Sequence, residues 1–254
     1  MISNGASARS DRPILEIGIL TKGKPTLSMV LVSLLLQEFQ SVRIHIVDTS
    51  ETPVIKRDDV MFALKLAFDR HIACGYEYLR GKDRAFSMGR LKLLEALQGR
   101  NICFMDDDVV MPSDTLARIA SFVQDAGEYG YYAPFCRNTG VHNLSQEEHE
   151  FSPGTIFCQD ELVRNILLEY YKTTVDVLDK KRSREKVWEI AFLSRLFPLL
   201  GRRCVVQNDN VIYHLDYHEA PHPALFDDDL LIRSRTLARE LARKYGPPDI
   251  PSVV

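Results

Sequence analysis

The chain has 254 residues, 45% hydrophobic and 26% charged, with a formal net charge of -3. That is enough apolar material for a full core, and it excludes disorder and collagen-like repetition. A pI near 6.2 speaks against a dedicated nucleic-acid binder, which needs a strongly basic face. The length admits one large α/β domain or two small ones.

The five cysteines, Cys74, Cys103, Cys136, Cys158 and Cys204, are odd in number and widely spaced, with no CxxC pair. They read as reduced, structural thiols of a cytoplasmic-type compartment and not as a disulfide or zinc framework. The longest apolar run, Met29 to Leu36, is interrupted by Ser33 and is far short of a bilayer span. Met1 to Asp11 is polar and lacks the apolar region of a signal peptide. The expected location is therefore cytoplasmic.

In chain order, Ile14 to Leu20 reads as a buried strand ended by the turn Thr21-Lys22-Gly23-Lys24-Pro25, and Thr26 to Phe39 as a helix packed on a sheet. Val42 to Val47 is the next strand, running into Asp48-Thr49-Ser50. Asp59 to Ile72 is helical, Tyr76 to Leu79 is a third strand, and Gly81-Lys82-Asp83-Arg84 is the loop leaving it. Met88 to Leu97 is helical again, closed by Gly99, and Asn101 to Met105 is a buried strand running into Asp106-Asp107-Asp108. This alternation predicts an α/β fold with a mostly parallel central sheet flanked by helices. Ligands of such sheets lie beyond the carboxyl ends of the strands. Thr21, Asp48, the loop with Lys82 and Arg84, and the three aspartates all fall there.

Beyond residue 111 the pattern is less regular. Ser113 is the expected N-cap of a further helix. Gly130 to Phe135 and Thr155 to Cys158 read as strands, and Glu161 to Tyr171 as a helix. Lys172 to Lys186 is dense in charge and reads as a mobile surface loop, with a lid over an anionic ligand as the functional alternative. Val187 to Leu200 is helical, Cys204 to Val206 and Val211 to Tyr213 are two short strands, and Leu230 to Tyr245 is a final helix. That helix sets Arg235, Arg239 and Arg243 in one stripe and Leu237, Leu241 and Tyr245 on another face. It is read either as an ordinary surface helix or as a peripheral contact with anionic lipid at the inner face of the membrane.

Three adjacent carboxylates at a strand end repel one another unless a cation or strong donors stand nearby. Mg²⁺ or Mn²⁺ is the simplest neutraliser, because such ions take one or two carboxylates together with substrate phosphate oxygens.

With these residues in order, the sequence resembles the family 2-like glycosyltransferases of the GT-A fold from about Ile14 to His214. The resemblance rests on Ser33-Leu34-Leu35-Leu36-Gln37 followed by Val42 to Asp48, on Arg90, on Phe104-Met105-Asp106-Asp107-Asp108-Val109 as the DxD segment, on Glu189 to Leu196 followed by Gly201, and on Val211-Ile212-Tyr213-His214. It implies a single domain over 1–254. About 12–111 would bind the nucleotide sugar, about 112–215 would supply acceptor and catalytic groups, and 216–254 would form a helical extension. It implies transfer of a sugar from a nucleoside diphosphate sugar, UDP-linked by preference or GDP-mannose, to a glycan, lipid-linked or small-molecule acceptor, with inversion as the family's pattern for a base-bearing helix. Asp48 and Arg90 would contact the donor nucleotide, Asp106 and Asp107 the donor, Asp108 and Asp106 the metal, His214 (or His218) a further metal position, and Glu189, beside Trp188, would be the base. A phosphoryl or nucleotidyl transferase, a hydrolase, and a non-catalytic nucleotide-sugar-binding domain are the rival readings. Val110 stands where a DxDxT nucleophile motif would have its threonine, and the first turn is poor in glycine.

Overall fold

Strand β1 (Leu15–Thr21) is buried at nearly every position, as a strand must be when both faces of its sheet are covered. The computed structural model describes residues 15–81, 86–98, 101–125, 130–138, 155–158, 161–178, 192–193, 195–215 and 228–246. Helix α1 (Leu27–Leu35), β2 (Val42–Asp48), α2 (Asp58–Asp69), β3 (Ala73–Tyr78), α3 (Phe86–Ala96) and β4 (Asn101–Asp106) alternate as the sequence predicts. They are followed by β5 (Val109–Val110), α4 (Thr115–Asp125), β6 (Tyr131–Asn138), β7 (Thr155–Cys158), α5 (Glu161–Leu178), β8 (Cys204–His214) and α6 (Asp228–Tyr245).

The eight strands of the described residues share one sheet, in the order β3-β2-β1-β4-β7-β6-β8-β5. The β3-β2-β1-β4 block is parallel, as is the β6/β8 pair. The β4/β7, β6/β7 and β5/β8 pairs are antiparallel. The chain builds outward from β1 to β3, then returns to place β4 on the other side of β1. That reversal is a topological switch point, where the flanking connections diverge and leave a crevice at the strand ends.

The two sheet faces carry separate apolar clusters. Ile17, Ile19, Ile44, Ile46, Cys103 and Met105 pack with residues of α1, α2 and α4. Val47, Ile102 and Phe104 pack with α3, α5 and α6. Helix α3 sits close to β1 because Gly89 has no side chain there. A Cβ at that position would lie 2.3 Å from Leu20 Cδ1.

Several boundaries differ from the sequence reading. Helix α1 stops at Leu35 and not at Phe39, because the chain turns so that Glu38 N–H donates to the Ser113 carbonyl at 2.8 Å. Ser113 does not cap α4. Its hydroxyl donates to Glu38, while the buried Gln37 amide oxygen accepts from Leu116 N–H at 3.0 Å and its NH₂ donates to the Ser33 and Pro112 carbonyls. Residues 204–214 form one strand and not two, with a register shift opposite Pro134/Phe135 that absorbs the polar Gln207-Asn208-Asp209-Asn210 segment. The charged stretch read as a loop from Lys172 continues α5 to Leu178, and the rest of it lies outside the described residues. Gly99 also lies outside them. Cys103 is buried as expected, whereas Cys204 is exposed.

Helix α6 buries Ala238, Leu241 and Ala242. Its end is fixed to α5 by Lys244 Nζ, which donates to Glu169 at 2.8 Å, and by a hydrogen bond from the Tyr245 hydroxyl to the same carboxylate. Arg235 and Arg243 face outward and Arg239 is half-buried. Among the described residues no helix is long and apolar enough to cross a membrane.

Candidate functional site

Parallel register brings the strand ends level. Thr21 pairs with Asp48, Asp48 with Tyr78, and Leu20 with Asp106. The crevice between β1 and β4 is therefore bordered by Thr21, Asp48 and the aspartate run, as the order along the chain predicts.

The three aspartates have different surroundings. Asp106 ends β4 and is partly exposed, while Asp107 and Asp108 are 6% and 2% exposed. Asp107 turns inward, where its Oδ2 accepts from the Thr21 hydroxyl at 2.6 Å and its carbonyl accepts from the Thr26 hydroxyl at 2.8 Å. Burial raises the Asp107 carboxyl above its ordinary value, with the Thr21 bond opposing. Thr21 and Asp107 thus satisfy each other and fix the loop that carries Asp108.

Asp108 meets two cationic or basic groups. Lys24 Nζ donates to Oδ2, and His214 Nε2 stands 3.2 Å from Oδ1. Burial works to raise the Asp108 carboxyl, but His214 and Lys24 together hold it well below the usual carboxylate range. Pairing between β5 and β8 sets Val109 opposite His214, and Leu215 N–H donates to the Asp108 carbonyl at 2.7 Å. Two strands far apart in sequence thereby deliver the carboxylate and the imidazole to one point.

One ligand atom each from Asp106, Asp108 and His214 lies within 4.8 Å of the others. Metal–ligand bonds of about 2.1 Å put opposed ligand atoms about 4.2 Å apart, so small side-chain adjustments bring all three onto one ion. Among the described residues, the buried Asp108 Oδ1 accepts no well-aligned hydrogen bond. Two carboxylates and an imidazole are a donor set suited to Mn²⁺ and compatible with Mg²⁺. The residues fit a divalent cation.

Asp48 is buried, with a carboxylate directed at its own loop. Oδ1 accepts from Ser50 N–H at 2.8 Å, and Oδ2 accepts from Val54 N–H and the Tyr76 hydroxyl, both at 2.7 Å. It shapes the wall beyond β2, where Tyr78 donates to the Glu51 carbonyl at 3.0 Å. Arg90, on α3, is also buried. Its guanidinium lies 4.9 Å from the Phe86 ring centre and 4.7 Å from that of Phe104. Phe104 and Asp106 share a face of β4, so Arg90 approaches the crevice from the α3 side. Glu189, Trp188, Arg84, Lys82 and His218 lie outside the described residues.

Lys24 and Arg57 are site residues that the sequence reading missed. Gly23, at φ +90, bends the turn after β1, and a Cβ there would meet Ser50 Cβ at 2.9 Å. Arg57 holds this turn from behind, donating to the Gly23, Lys24 and Pro25 carbonyls at 3.3, 2.8 and 3.0 Å. Asp59 holds Arg57 in turn, accepting from Nε at 3.1 Å and from a second guanidinium nitrogen at 2.6 Å. The signal for Lys24 was its place in the turn at the carboxyl end of β1. Nothing local in sequence ties Arg57 to a turn more than thirty residues away.

Solved structures share this architecture. One is Staphylococcus aureus TarS, with a TM-score of 0.58 and 15% identity over 80% of this chain and 36% of that one. Another is its 1–349 fragment in complex with UDP, with a TM-score of 0.62 and 13% identity over 91% of this chain and 66% of that one. A third is the mannosyltransferase PcManGT from Pyrobaculum calidifontis in complex with GDP-Man and Mn²⁺, with a TM-score of 0.53 and 16% identity over 93% and 76%. The chain has the GT-A fold. It spans about a third of the full TarS structure and about two thirds of the fragment. No protein-family model matches the sequence and no curated protein matches it. At these identities the likeness establishes the GT-A fold, and the chemistry rests on this chain's own residues.

Proposed function

We propose that this protein is a divalent-cation-dependent glycosyltransferase that moves a sugar from a nucleoside diphosphate sugar to a hydroxyl acceptor. The observation that carries the reading is the convergence of Asp106, Asp108 and His214 at the switch-point crevice. The GT-A likeness supports it, because structurally similar proteins were solved with UDP, with UDP-GlcNAc and with GDP-Man and Mn²⁺.

In this reading Asp108, Asp106 and His214 hold Mn²⁺ or Mg²⁺, which when bound supplies positive charge to the leaving diphosphate. Arg90 and Arg84 add cationic charge on the donor side, where negative charge develops as the bond to the sugar breaks. Asp48 organises the loop that receives the base, and Thr21 and Asp107 hold the aspartate run in place. Glu189 takes the proton of the acceptor hydroxyl as general base, opposite the leaving group, so the anomeric centre inverts. Residues of about 12–111 serve the donor and those of about 112–215 the acceptor and the base. A UDP-sugar is the favoured donor and GDP-mannose the second choice. The outward Arg235 and Arg243 suit a lipid-linked acceptor reached by peripheral membrane contact; glycan and small-molecule acceptors are the other classes.

The test is a panel of radiolabelled UDP-sugars and GDP-mannose with mixed acceptors and Mn²⁺, run on the wild type and on Glu189→Gln. We expect transfer by the wild type and a loss of at least about a hundredfold in the variant, with donor binding retained. Near-normal turnover by the variant removes Glu189 from the base role, and no transfer from any donor contradicts the assignment.

A further inference from the structure

Asp108 has two carboxylate oxygens, and Lys24 holds one of them. Its ammonium approaches from the turn after β1, while His214 faces the other oxygen. The pair is asymmetric, because the Asp108 side chain is 2% exposed whereas that of Lys24 is 39% exposed. The Lys24 backbone is anchored by Arg57 through three successive carbonyls. The ammonium is thus presented from a turn held in place, on a side chain that is itself partly exposed.

We propose that the Lys24 ammonium competes with the divalent cation for Asp108, so that cation uptake depends on arrival of the nucleoside diphosphate. A cation and an ammonium on one carboxylate repel each other at such short range. With no anion nearby, Lys24 neutralises Asp108 and weakens cation binding. A diphosphate entering the crevice offers the ammonium a new anionic partner, and Asp108 becomes available to the metal. The two ligands then bind with positive coupling, which by linkage is the same whichever is added first. The free-protein part of this inference stands on the Lys24–Asp108 contact alone, and the diphosphate part rests on the proposed function.

Titrating Mn²⁺ into nucleotide-free protein, read by the loss of the free Mn²⁺ electron paramagnetic resonance signal, tests the competition without any activity assay. Lys24→Gln should bind Mn²⁺ roughly five- to tenfold more tightly than wild type, the low end of typical coupling factors. Lys24→Arg, which keeps the charge, should bind as weakly as wild type. Repeating the titration with saturating UDP should tighten wild-type binding and tighten that of Lys24→Gln by a smaller factor. Equal or weaker Mn²⁺ affinity in folded Lys24→Gln, or an Arg variant that behaves like the Gln variant, overturns the competition. An equal UDP effect in wild type and Lys24→Gln overturns the coupling. Failure of both UDP and GDP to bind any variant defeats the nucleotide reading and the coupling, while the nucleotide-free comparison still decides whether Lys24 competes.

Discussion

Thr21 shows how the site depends on a single hydroxyl. It donates to a buried carboxylate, Asp107, and accepts from Gly23 N–H at 2.9 Å, so it ties the β1 turn to the aspartate run. Thr21→Val keeps the shape and removes both bonds. Leaving a buried carboxylate without its donor costs about 1–3 kcal/mol. Urea unfolding should show a lower midpoint with an unchanged slope, and an unchanged midpoint would mean that Asp107 finds another donor. Asp106, Asp107 and Asp108 were recognisable from sequence as a charged strand end. Their division into a partly exposed carboxylate, an inward brace and a buried ion-paired carboxylate was not, because it depends on Thr21, Lys24 and His214 arriving from other parts of the chain.

At the scale of elements, the turn after β1 is set by an arginine at the start of α2. Arg57 draws the exposed Asp59 carboxyl down to about 2 through their side-chain hydrogen bond. Because the folded-state value is depressed, the pair contributes fully above the ordinary carboxylate range, and its contribution fades as pH falls toward about 2. Carbon-13 NMR of the Asp59 carboxyl should give a midpoint near that value, returning to the ordinary range in Arg57→Ala. An ordinary midpoint in the wild type would show that the brace is not formed in solution. The alternating strands and helices through β4 were legible because their apolar periods are strong. Helix α4 was mis-capped in the sequence reading because its N-terminal partner is Gln37, far back in the chain. Strand β8 looked like two strands because its polar middle accommodates a register shift that only its pairing with β6 reveals.

At the scale of the whole molecule, the strands of the described residues, from both parts of the chain, form one sheet, and β8 brings His214 to the aspartates that follow β4. The alternation that gives a mostly parallel sheet, the carboxyl ends of its strands as the ligand position and the aspartate cluster could be read from sequence pattern and resemblance. The pairing of Lys24 with Asp108 and the Arg57 brace could not, since both are products of folding. The central claim is that this convergence binds a nucleoside diphosphate through a divalent cation. Calorimetric titration of UDP and GDP with and without Mn²⁺, in the wild type and in Asp108→Asn, tests it most directly. The account predicts binding of one nucleotide that Mn²⁺ strengthens at least tenfold in the wild type, with that gain lost in Asp108→Asn. Nucleotide affinity that is indifferent to Mn²⁺, or a gain that survives in the variant, would contradict it.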